Sequence, residues 1–536
     1  MADKRSGSHS PIEKEQVSEH AEIPRQQDPH RAALERHTAL KAALEIDPGV
    51  TRFSPRAIQM YLITLIVSCC SGDSGFDATV MGGINGMAQY HNYFGTSSVG
   101  SGVSLIFGIF TVGAVCGSIP AAYLPDKFGR RFSMFLGNTI LIAGALLTAN
   151  AKTMNMFLGG RFLTGLGSFF ANTAARGYLA EMSPPHMRGA YMGFLNSFYY
   201  VGQMAATGMM VSTGTFQSEL SWRLPLYIQI VPAAVNVLFI FFCPESPRWL
   251  YSIGKTEQAR KILANLHSCN GDYNSPLVKL EMEEITEKIE VDGADKRWWD
   301  FRPLFATRAD RYRAYMVILI GTFGQLSGNG LVTYFLPVLL KNAGILEQKK
   351  VLTLNFINSV TSYVGALTGS AIVDSYGRRK NLLTATSMLV VILSIIAGLL
   401  SSTGNPARTN AGIGFIFLVM VAFSFGWTPM QALYPAEVLS YEVRAKGLSF
   451  LGIVSQIASL INTFGLPVAL QKLGWKVYLI FVFWDFFEII IIYFFVVETK
   501  GLTLEEMNEV FEAENPRAYA DEIQKERKNR VVETIA

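Results

Sequence analysis

Long apolar stretches alternate with short polar ones along most of the chain, and their lengths predict membrane-spanning helices. Twelve stretches approach the roughly 20 apolar residues that a helix needs to cross the hydrocarbon core of a bilayer. An even number of spans places both termini on one side of the membrane. The stretches lie at 57–80, 101–123, 132–150, 155–180, 189–211 and 223–243, and at 314–337, 351–373, 381–402, 411–433, 447–470 and 477–497.

Polar segments divide these stretches into two blocks of six. Residues 1–55 mix Ser, Glu, Gln, His and Arg without an apolar centre, which is typical of a mostly disordered tail. Residues 244–313 are charged, mixed in sign and rich in helix formers, so they predict a helical bridge between a first half (56–243) and a second half (314–498). Residues 499–536 form a second polar tail.

The distribution of Lys and Arg predicts the orientation. Basic residues concentrate in the short loops on the same side as the bridge, whereas 81–100, on the opposite side, has none. Because loops rich in Lys and Arg stay in the cytoplasm, the bridge and both tails are expected there, in a multi-pass protein of the plasma membrane. Four lysines are exceptions to this bias: Lys341, Lys349, Lys350 and Lys472.

Composition narrows the class further. With 50% hydrophobic and only 16% charged residues, the chain differs from soluble domains, which carry about 25% charged residues. A net charge of +4 gives no reason to expect a nucleic-acid partner, and the five cysteines show neither a disulfide framework nor zinc-ligand spacing. We also find no phosphate-binding loop or catalytic constellation. The expected surroundings are a lipid bilayer, with no cofactor, no metal and no enzymatic activity.

Charged motifs recur in the same order in both blocks, at an offset of roughly 250 residues, which indicates a duplicated half. An Asp-x-x-Gly-Arg-Arg motif follows the second and eighth spans, a Glu and an Arg seven residues apart follow the fourth and tenth, and a Glu follows each block. We call these ten positions the gate residues. They are Asp126, Arg130, Glu181, Arg188 and Glu245, and Asp374, Arg378, Glu437, Arg444 and Glu498.

The gate residues stand at helix ends on the bridge side of the membrane. Ion pairs between them across this face, with Arg188 and Arg444 as partners of the glutamates, would hold it closed and break as it opens. The alternative is a structural role: an orientation signal with a turn glycine in Asp-x-x-Gly-Arg-Arg, and helix caps elsewhere. Ionisable groups near a membrane are rare and usually functional, which favours a gate.

The motifs DKFGRR, GRFLTGLG, YLAEMSPPHMRG, PESPRWL, DSYGRR, YPAEVLSYEVRAKG and VETKG, in this order, make residues 57–515 resemble the sugar porter family of the major facilitator superfamily. GQLSGNGLVTYFLP and GWTPMQALYPAE resemble its fungal lactose and cellodextrin permease branch. The resemblance implies an all-α fold of about twelve helices in two halves, working by alternating access around a midplane site. It implies proton-coupled import of a sugar, with a disaccharide such as lactose or cellobiose as the expected substrate.

Within this resemblance, Asp77 matches the carboxylate that proton-coupled members use, and Arg161 matches its partner. A carboxylate beside an arginine loses its proton readily, so a partner that changes with conformation would link protonation to transport. Asp73, four residues earlier, is a rival, and Asp77 could instead be a helix-end residue wetted from outside. Without coupling, the chain would be a facilitative carrier or a sugar sensor that does not transport.

Neutral hydrogen-bonding groups and aromatic faces suit the hydroxyls and apolar faces of a sugar. Eight such positions are candidates. Gln203 and Gln325 match contacts of the family, Asn196 stands where the family usually has Gln, and Asn329 stands one place before the usual Asn. Asn462 is a further candidate that could instead hold neighbouring helices together. Tyr334, with Phe335, and Trp427 are expected to supply a stacking face. The eight are Asn196, Gln203, Gln325, Asn329, Tyr334, Trp427, Gln431 and Asn462.

Two departures from the family pattern remove side-chain volume. Gly324 replaces the first Gln of a Gln-Gln pair, and Gln431-Ala432 replaces a Pro-Trp pair. A site that lacks the Gln and the Trp side chains is larger, which favours a disaccharide over a monosaccharide.

Overall fold

The computed structural model describes residues 39–535, apart from 41, 52, 295–299, 343, 402–405, 441–442 and 503. Most of the predicted N-terminal tail, residues 1–38, therefore lies outside the described residues. The first half contains α1 (Pro55–Ile84), α2 (Ala88–Phe94), α3 (Ser101–Phe128), α4 (Arg130–Ala149), α5 (Met154–Met182), α6 (Arg188–Thr213), α7 (Leu220–Ile228) and α8 (Ile230–Phe239).

The bridge and the second half are also helical. The bridge contains α9 (Pro247–Ser252), α10 (Thr256–His267) and α11 (Pro276–Ala294). The second half contains α12 (Arg308–Leu326), α13 (Asn329–Asn342), α14 (Gln348–Tyr376), α15 (Arg378–Leu400), α16 (Pro406–Val438), α17 (Arg444–Leu473) and α18 (Val477–Phe495), followed by α19 (Leu504–Glu512) and α20 (Pro516–Ile535). Within the described ranges the chain forms helices and no strands.

Nine stretches of the described chain are long and apolar enough to cross a membrane. One of them, Lys446–Phe495, holds both α17 and α18. The helices α5 and α6 are also of spanning length, and they pack against α3, α4 and α1 inside the first half. Large apolar side chains face outward, as Phe483, Leu238 and Ile461 do, because the surrounding lipid is as apolar as they are. The all-α prediction with about twelve spans is confirmed.

The seventh predicted span, 314–337, is not one continuous helix. Ser327 ends α12, Gly328 has a φ of +77°, and α13 begins at Asn329. A left-handed φ favours glycine, so the Ser-Gly pair lets the backbone change direction inside the span. Hydropathy alone could not predict this break, because both pieces are apolar.

The bridge is attached to the chain just before α1. The Asp47 carboxylate accepts hydrogen bonds from the Cys269 amide (3.0 Å) and the Ser275 hydroxyl (2.6 Å). Inside the bridge, the buried ring of His267 lies 2.7 Å from the Glu281 carboxylate and also contacts the Met182 carbonyl. The described end of the segment predicted as a tail is thus held against the bridge.

The two halves meet through α3 against α17 and α6 against α14. Because the helices alternate in direction, their ends define a bridge end, where the bridge and the gate residues lie, and a far end. Several inter-half hydrogen bonds lie at the far end, such as Lys341 Nζ to the Gly86 carbonyl (2.5 Å) and Gln348 Nε2 to the Gly214 carbonyl (2.8 Å). The Gly100 amide also donates across to Pro467 (3.1 Å). The halves are therefore closed against each other at the far end.

Candidate functional site

Each half carries one cluster of gate residues at the bridge end. In the first half, Arg130 lies 2.9 Å from Asp126 and 3.0 Å from Glu181, and Glu181 also accepts a hydrogen bond from the Ser246 hydroxyl. Asp126 is largely exposed, whereas the other two side chains of this ion-pair cluster are mostly buried. The cluster joins the ends of α3, α4 and α5 to the first residues after the half.

The second half repeats this arrangement. Arg378 lies 2.8 Å from Asp374 and 2.6 Å from Glu437, and Glu437 accepts a hydrogen bond from the Thr499 hydroxyl (2.6 Å). Thr499 occupies the place that Ser246 has in the first half, one residue after Glu498. The duplication seen in the sequence is therefore a duplication of contacts.

A glutamate after each half closes on the start of a helix. Glu245 accepts hydrogen bonds from the Arg130 amide (3.2 Å), and Glu498 accepts them from the Arg378 amide (2.8 Å). A helix N-terminus favours an anion because its first N–H groups have no partner within the helix. The preceding glycines have φ of +92° and +100°, and a Cβ on either would be 2.6–2.7 Å from a carboxylate oxygen, so Gly129 and Gly377 make room.

The expectation that Arg188 and Arg444 pair with the glutamates is corrected by these contacts. The partners are Arg130 and Arg378, so each ion-pair cluster lies inside one half. Arg444 donates instead to the Leu439 carbonyl (3.3 Å), and the buried Nε atoms of Arg188 and Arg444 have no hydrogen-bond partner among the described residues. Any gating by these clusters would therefore act by holding the helix ends of one half together, not by linking one half to the other.

A second charged site lies deep inside the first half. Asp77 of α1 and Arg161 of α5 form an ion pair of 2.7 Å, and both side chains are almost completely buried. The same oxygen, Asp77 Oδ1, accepts a hydrogen bond from Gln229 Nε2 (2.6 Å), whereas Oδ2 has no partner among the described residues. The Arg161 guanidinium also lies over the Phe110 ring, 4.6 Å from its centre. The predicted pair is therefore in contact, with one carboxylate oxygen left free.

Asp73 differs from Asp77 in its surroundings. It lies one helical turn nearer the bridge end on α1, it is buried, and in the part of the chain that the structure describes neither of its oxygens has a hydrogen-bond partner. An isolated buried carboxylate is costly, so such a group favours its neutral form. Asp77 is therefore part of an ion pair, whereas Asp73 is a buried acid without one among the described residues.

The polar residues of α6 line the face that meets the second half. The Tyr200 hydroxyl contacts Thr428 of α16 (3.0 Å), and Thr207 donates to Ser359 of α14 (3.2 Å). Gln203 is buried beside them, and Asn196, one turn from Tyr200 toward the bridge end, is exposed. Since i, i+3 and i+4 positions share a helix face, both candidates point to the boundary between the halves.

Two candidates, Gln325 and Asn329, flank the break in the seventh span, and a third braces it. Asn329 caps the break by accepting from the Gly330 amide (2.8 Å). Asn462 of α17 donates to the Gln325 carbonyl (2.9 Å), and a Cβ on Gly330 would be 2.3 Å from its amide nitrogen. These contacts favour the alternative that Asn462 holds neighbouring helices together. The Gln325 side chain is half-buried.

Three further candidates have different environments. Gln431 donates to the Gly324 carbonyl (3.2 Å), and a Cβ on Gly324 would be 2.6 Å from its amide nitrogen, so Gln431 fills the volume that this glycine leaves. Trp427 is fully buried, which argues against a stacking role in this conformation. Tyr334 of α13 packs against α1 five residues after Asp77, where a Cβ on Gly82 would be 2.9 Å from the Tyr334 carbonyl oxygen. It therefore places the second half beside the buried ion pair.

Sequence reasoning missed several polar groups. Ser246 and Thr499 could have been found, because they follow Glu245 and Glu498 in the repeat. Gln229 carries no motif and is recognised only by its contact with Asp77. Two acids of α18, Asp485 and Glu488, stand inside an apolar span and are visible in the sequence by that contrast alone.

Residues 63–511 match the protein family described as sugar (and other) transporter. A high-affinity glucose transporter of Kluyveromyces lactis is 28% identical over 85% of this chain and 86% of its own length. Sugar transport protein 4 of Arabidopsis thaliana is 26% identical over 87% of this chain and 93% of its own length.

Solved structures show the same fold. The inward-open conformation of the xylose transporter XylE from E. coli has a TM-score of 0.70 at 19% identity and covers 84% of this chain and 99% of XylE. A structure of the major facilitator superfamily proton:xylose symporter XylE bound to 6-bromo-6-deoxy-D-glucose has a TM-score of 0.69 at 20% identity, covering 85% and 100%. The fold is that of the major facilitator superfamily, and the chain belongs to the family of sugar transporters rather than to a family of enzymes.

Proposed function

We propose that this transporter imports its sugar together with a proton and that Asp77 carries the proton. The observation that carries the proposal is the divided carboxylate: Oδ1 is held by Arg161 and Gln229, while Oδ2 is free to take a proton. A carboxyl that is buried, charged and only half satisfied can change its protonation when its arginine partner moves.

The position of Asp77 supports coupling to the conformational change. Five residues after Asp77, α1 packs at Gly82 against Tyr334 of α13, which belongs to the other half, so motion between the halves alters the surroundings of Asp77. A proton can drive this change only by its different affinity for the two conformations. XylE is a proton:xylose symporter, and its likeness to this chain concerns the fold.

We further propose a disaccharide such as lactose or cellobiose as the substrate. Ala432 supports this: it is exposed, and it lies one turn from Thr428 on the face of α16 that contacts the first half. Gly324 gives no such support, because Gln431 fills its space. The named relatives are a glucose transporter and a sugar transport protein, so the substrate panel must include glucose.

The bridge and both termini are proposed to lie in the cytoplasm of a plasma-membrane protein. In a variant without the native cysteines, a cysteine at Glu283 in the bridge should resist a membrane-impermeant thiol reagent in intact cells. A cysteine at Ser97, near the far end, should react. The reverse pattern would overturn the orientation.

Asp77→Asn tests the coupling, because it keeps size and hydrogen bonding but removes the titratable group. The variant should lose accumulation of sugar against a gradient yet exchange labelled for unlabelled sugar, since exchange never requires the empty carrier to reorient. Asp73→Asn, made in the same helix one turn away, should keep both activities.

The outcomes separate the rival functions. Loss of accumulation in Asp73→Asn alone would move the proton to Asp73. If the unaltered protein exchanges sugar normally but, like both variants, does not accumulate it, the protein is a facilitative carrier. Sugar binding without uptake or exchange in the unaltered protein would mean a sensor.

A further inference from the structure

The last span contains two buried carboxyl groups that the proposed coupling at Asp77 does not use. Asp485 and Glu488 lie near the middle of α18, and neither is measurably exposed to solvent. Three residues apart on a helix, they share a face. Acids at this depth are rare in membrane proteins and usually mark a site of function.

Neither carboxyl has a cationic partner. Among the described residues no ion pair involves Asp485 or Glu488, and the titratable group close to Glu488 is Asp485. The helices that pack against α18 carry their charged residues near their ends. These are Arg378, Arg379 and Lys380 on α15, Arg308, Asp310, Arg311 and Arg313 on α12, and Arg444, Lys446 and Lys472 on α17.

The hydrogen bonds of Glu488 depend on whether it carries a proton. Its Oε1 accepts from the Trp484 indole (2.6 Å), and its Oε2 lies 3.3 Å from the Ser327 hydroxyl. That hydroxyl has a single hydrogen and two acceptors within reach, Oε2 and the Phe323 carbonyl, of which the carbonyl is the nearer. While the hydroxyl donates to the carbonyl, its contact with Oε2 is a hydrogen bond only if a neutral Glu488 donates it.

Asp485 gives an independent observation. Within the described part of the chain neither of its oxygens has a hydrogen-bond partner, although the side chain is fully enclosed. A charged carboxylate without any donor would lack all the stabilisation that water gave it, so these surroundings favour the protonated form. The neutral form is thus favoured for Asp485 because no donor faces it, and for Glu488 because the Ser327 hydrogen has a nearer acceptor in the Phe323 carbonyl.

The pair is attached to the break between α12 and α13. Ser327 is the residue that ends α12, Phe481 of α18 packs against Gly328, and the Phe323 and Trp484 rings meet edge to face at 6.0 Å. Beyond the break, α13 carries Lys341, whose hydrogen bond to Gly86 helps to close the far end. Glu488 is thus in direct contact with the break between α12 and α13.

We propose that Asp485 and Glu488 form a second proton-binding site, in the other half of the molecule from Asp77, and that its occupancy sets the hydrogen bonding at the α12–α13 break. When Glu488 gives its proton to water, its carboxylate becomes an acceptor. The Ser327 hydroxyl then turns from the Phe323 carbonyl to this carboxylate, and the joint loses that bond. This site does not depend on sugar coupling at Asp77.

Infrared spectroscopy of the purified full-length protein without sugar tests the site directly. A neutral carboxyl has a C=O stretching band that an ionised one lacks. At neutral pH, Glu488→Gln and Asp485→Asn should each lose one such band. Glu219→Gln, which alters an exposed glutamate paired with Arg223, should lose none.

Labelling keeps the test valid if a variant fails to fold. In the unaltered protein, ¹³C in the glutamate carboxyls should shift a neutral-carboxyl band, and absence of any shifted band would overturn the proposal. Ser327→Ala removes the acceptor for the Glu488 proton, so the glutamate band should move to the frequency of a free carboxyl. A band that stays in place would refute the link to the break. Bands removed by sodium ions at constant pH would make the ligand a metal cation instead.

Discussion

Replacing Arg161 by methionine is the sharpest perturbation of the buried ion pair. Methionine keeps most of the length and volume of the arginine stem, so little cavity forms. It removes the charge that faces Asp77 and the cation stacked on Phe110. What remains on the carboxylate is the single hydrogen bond from Gln229.

The magnitude follows from the burial of both partners. Removing one member of a buried pair costs about 3–5 kcal/mol, because the other charge stays without compensation. The lost cation–π contact adds roughly 0.5–2 kcal/mol. Asp77→Asn should cost about as much as the loss of the charge in Arg161→Met, because the buried guanidinium then lacks its charged partner. The double variant has no stranded charge and should be more stable than either single variant.

Thermal unfolding in detergent, followed by intrinsic fluorescence, ranks these four proteins. The expected order of melting temperature is unaltered protein, double variant, then the two single variants. Glu219→Gln is the matched control, because it breaks a pair whose glutamate is largely exposed and should cost no more than about 1 kcal/mol. A double variant that loses the sum of the two single effects would show that the charges are not coupled, and the reasoning would fail.

Three further outcomes are expected. Arg378→Ala removes the arginine that lies 2.6 Å from Glu437 and should reduce transport strongly. Arg444→Ala should reduce it less, because the Arg444 guanidinium contacts a carbonyl. Uptake assays with surface labelling compare the two variants, and equal losses would support the pairing expected from the sequence. Ala432→Trp should lower disaccharide uptake more than glucose uptake, and an equal fall would place this residue outside the site. Burial is the largest single effect on the pKa of His267 and lowers it, but the charge and hydrogen bond of Glu281 and the contact with the Met182 carbonyl together outweigh it, so the pKa is raised above 6.5. Stability from this pair is therefore complete below about pH 6.5 and lost as pH rises through the raised pKa. The melting temperature should fall over that range, and His267→Gln should abolish this part of the fall; an unchanged profile would contradict it.

Much of the architecture could be predicted because it depends on composition. The length of apolar stretches sets the spans, and a motif that recurs, such as Asp126 to Arg131, shows the duplication. The contact between Asp77 and Arg161 agrees with the resemblance, because a buried charge requires a partner. These features depend on residue type more than on exact geometry.

Partner choice could not be predicted, because it depends on how helices pack. Glu181 has arginines near it in sequence and in space, and only the positions of the helix ends select Arg130 over Arg188. The break after Ser327 is equally hidden, since hydropathy does not register a change of backbone direction. The neutral state of Glu488 requires counting hydrogens around Ser327, which no sequence pattern contains.

The broken seventh span also has a consequence for biogenesis. With 14 residues, α13 reaches only about 21 Å at 1.5 Å per residue, less than the roughly 30 Å of a hydrocarbon core. Its unwound junction with α12 must be sheltered by protein. Asn462 and Glu488 provide this shelter, yet both are synthesised more than a hundred residues later. The seventh span must therefore stay incomplete in the nascent chain until α17 and α18 have been synthesised. Truncation before α17 should expose the junction to membrane quality control, and a pulse-chase experiment would show this as faster degradation.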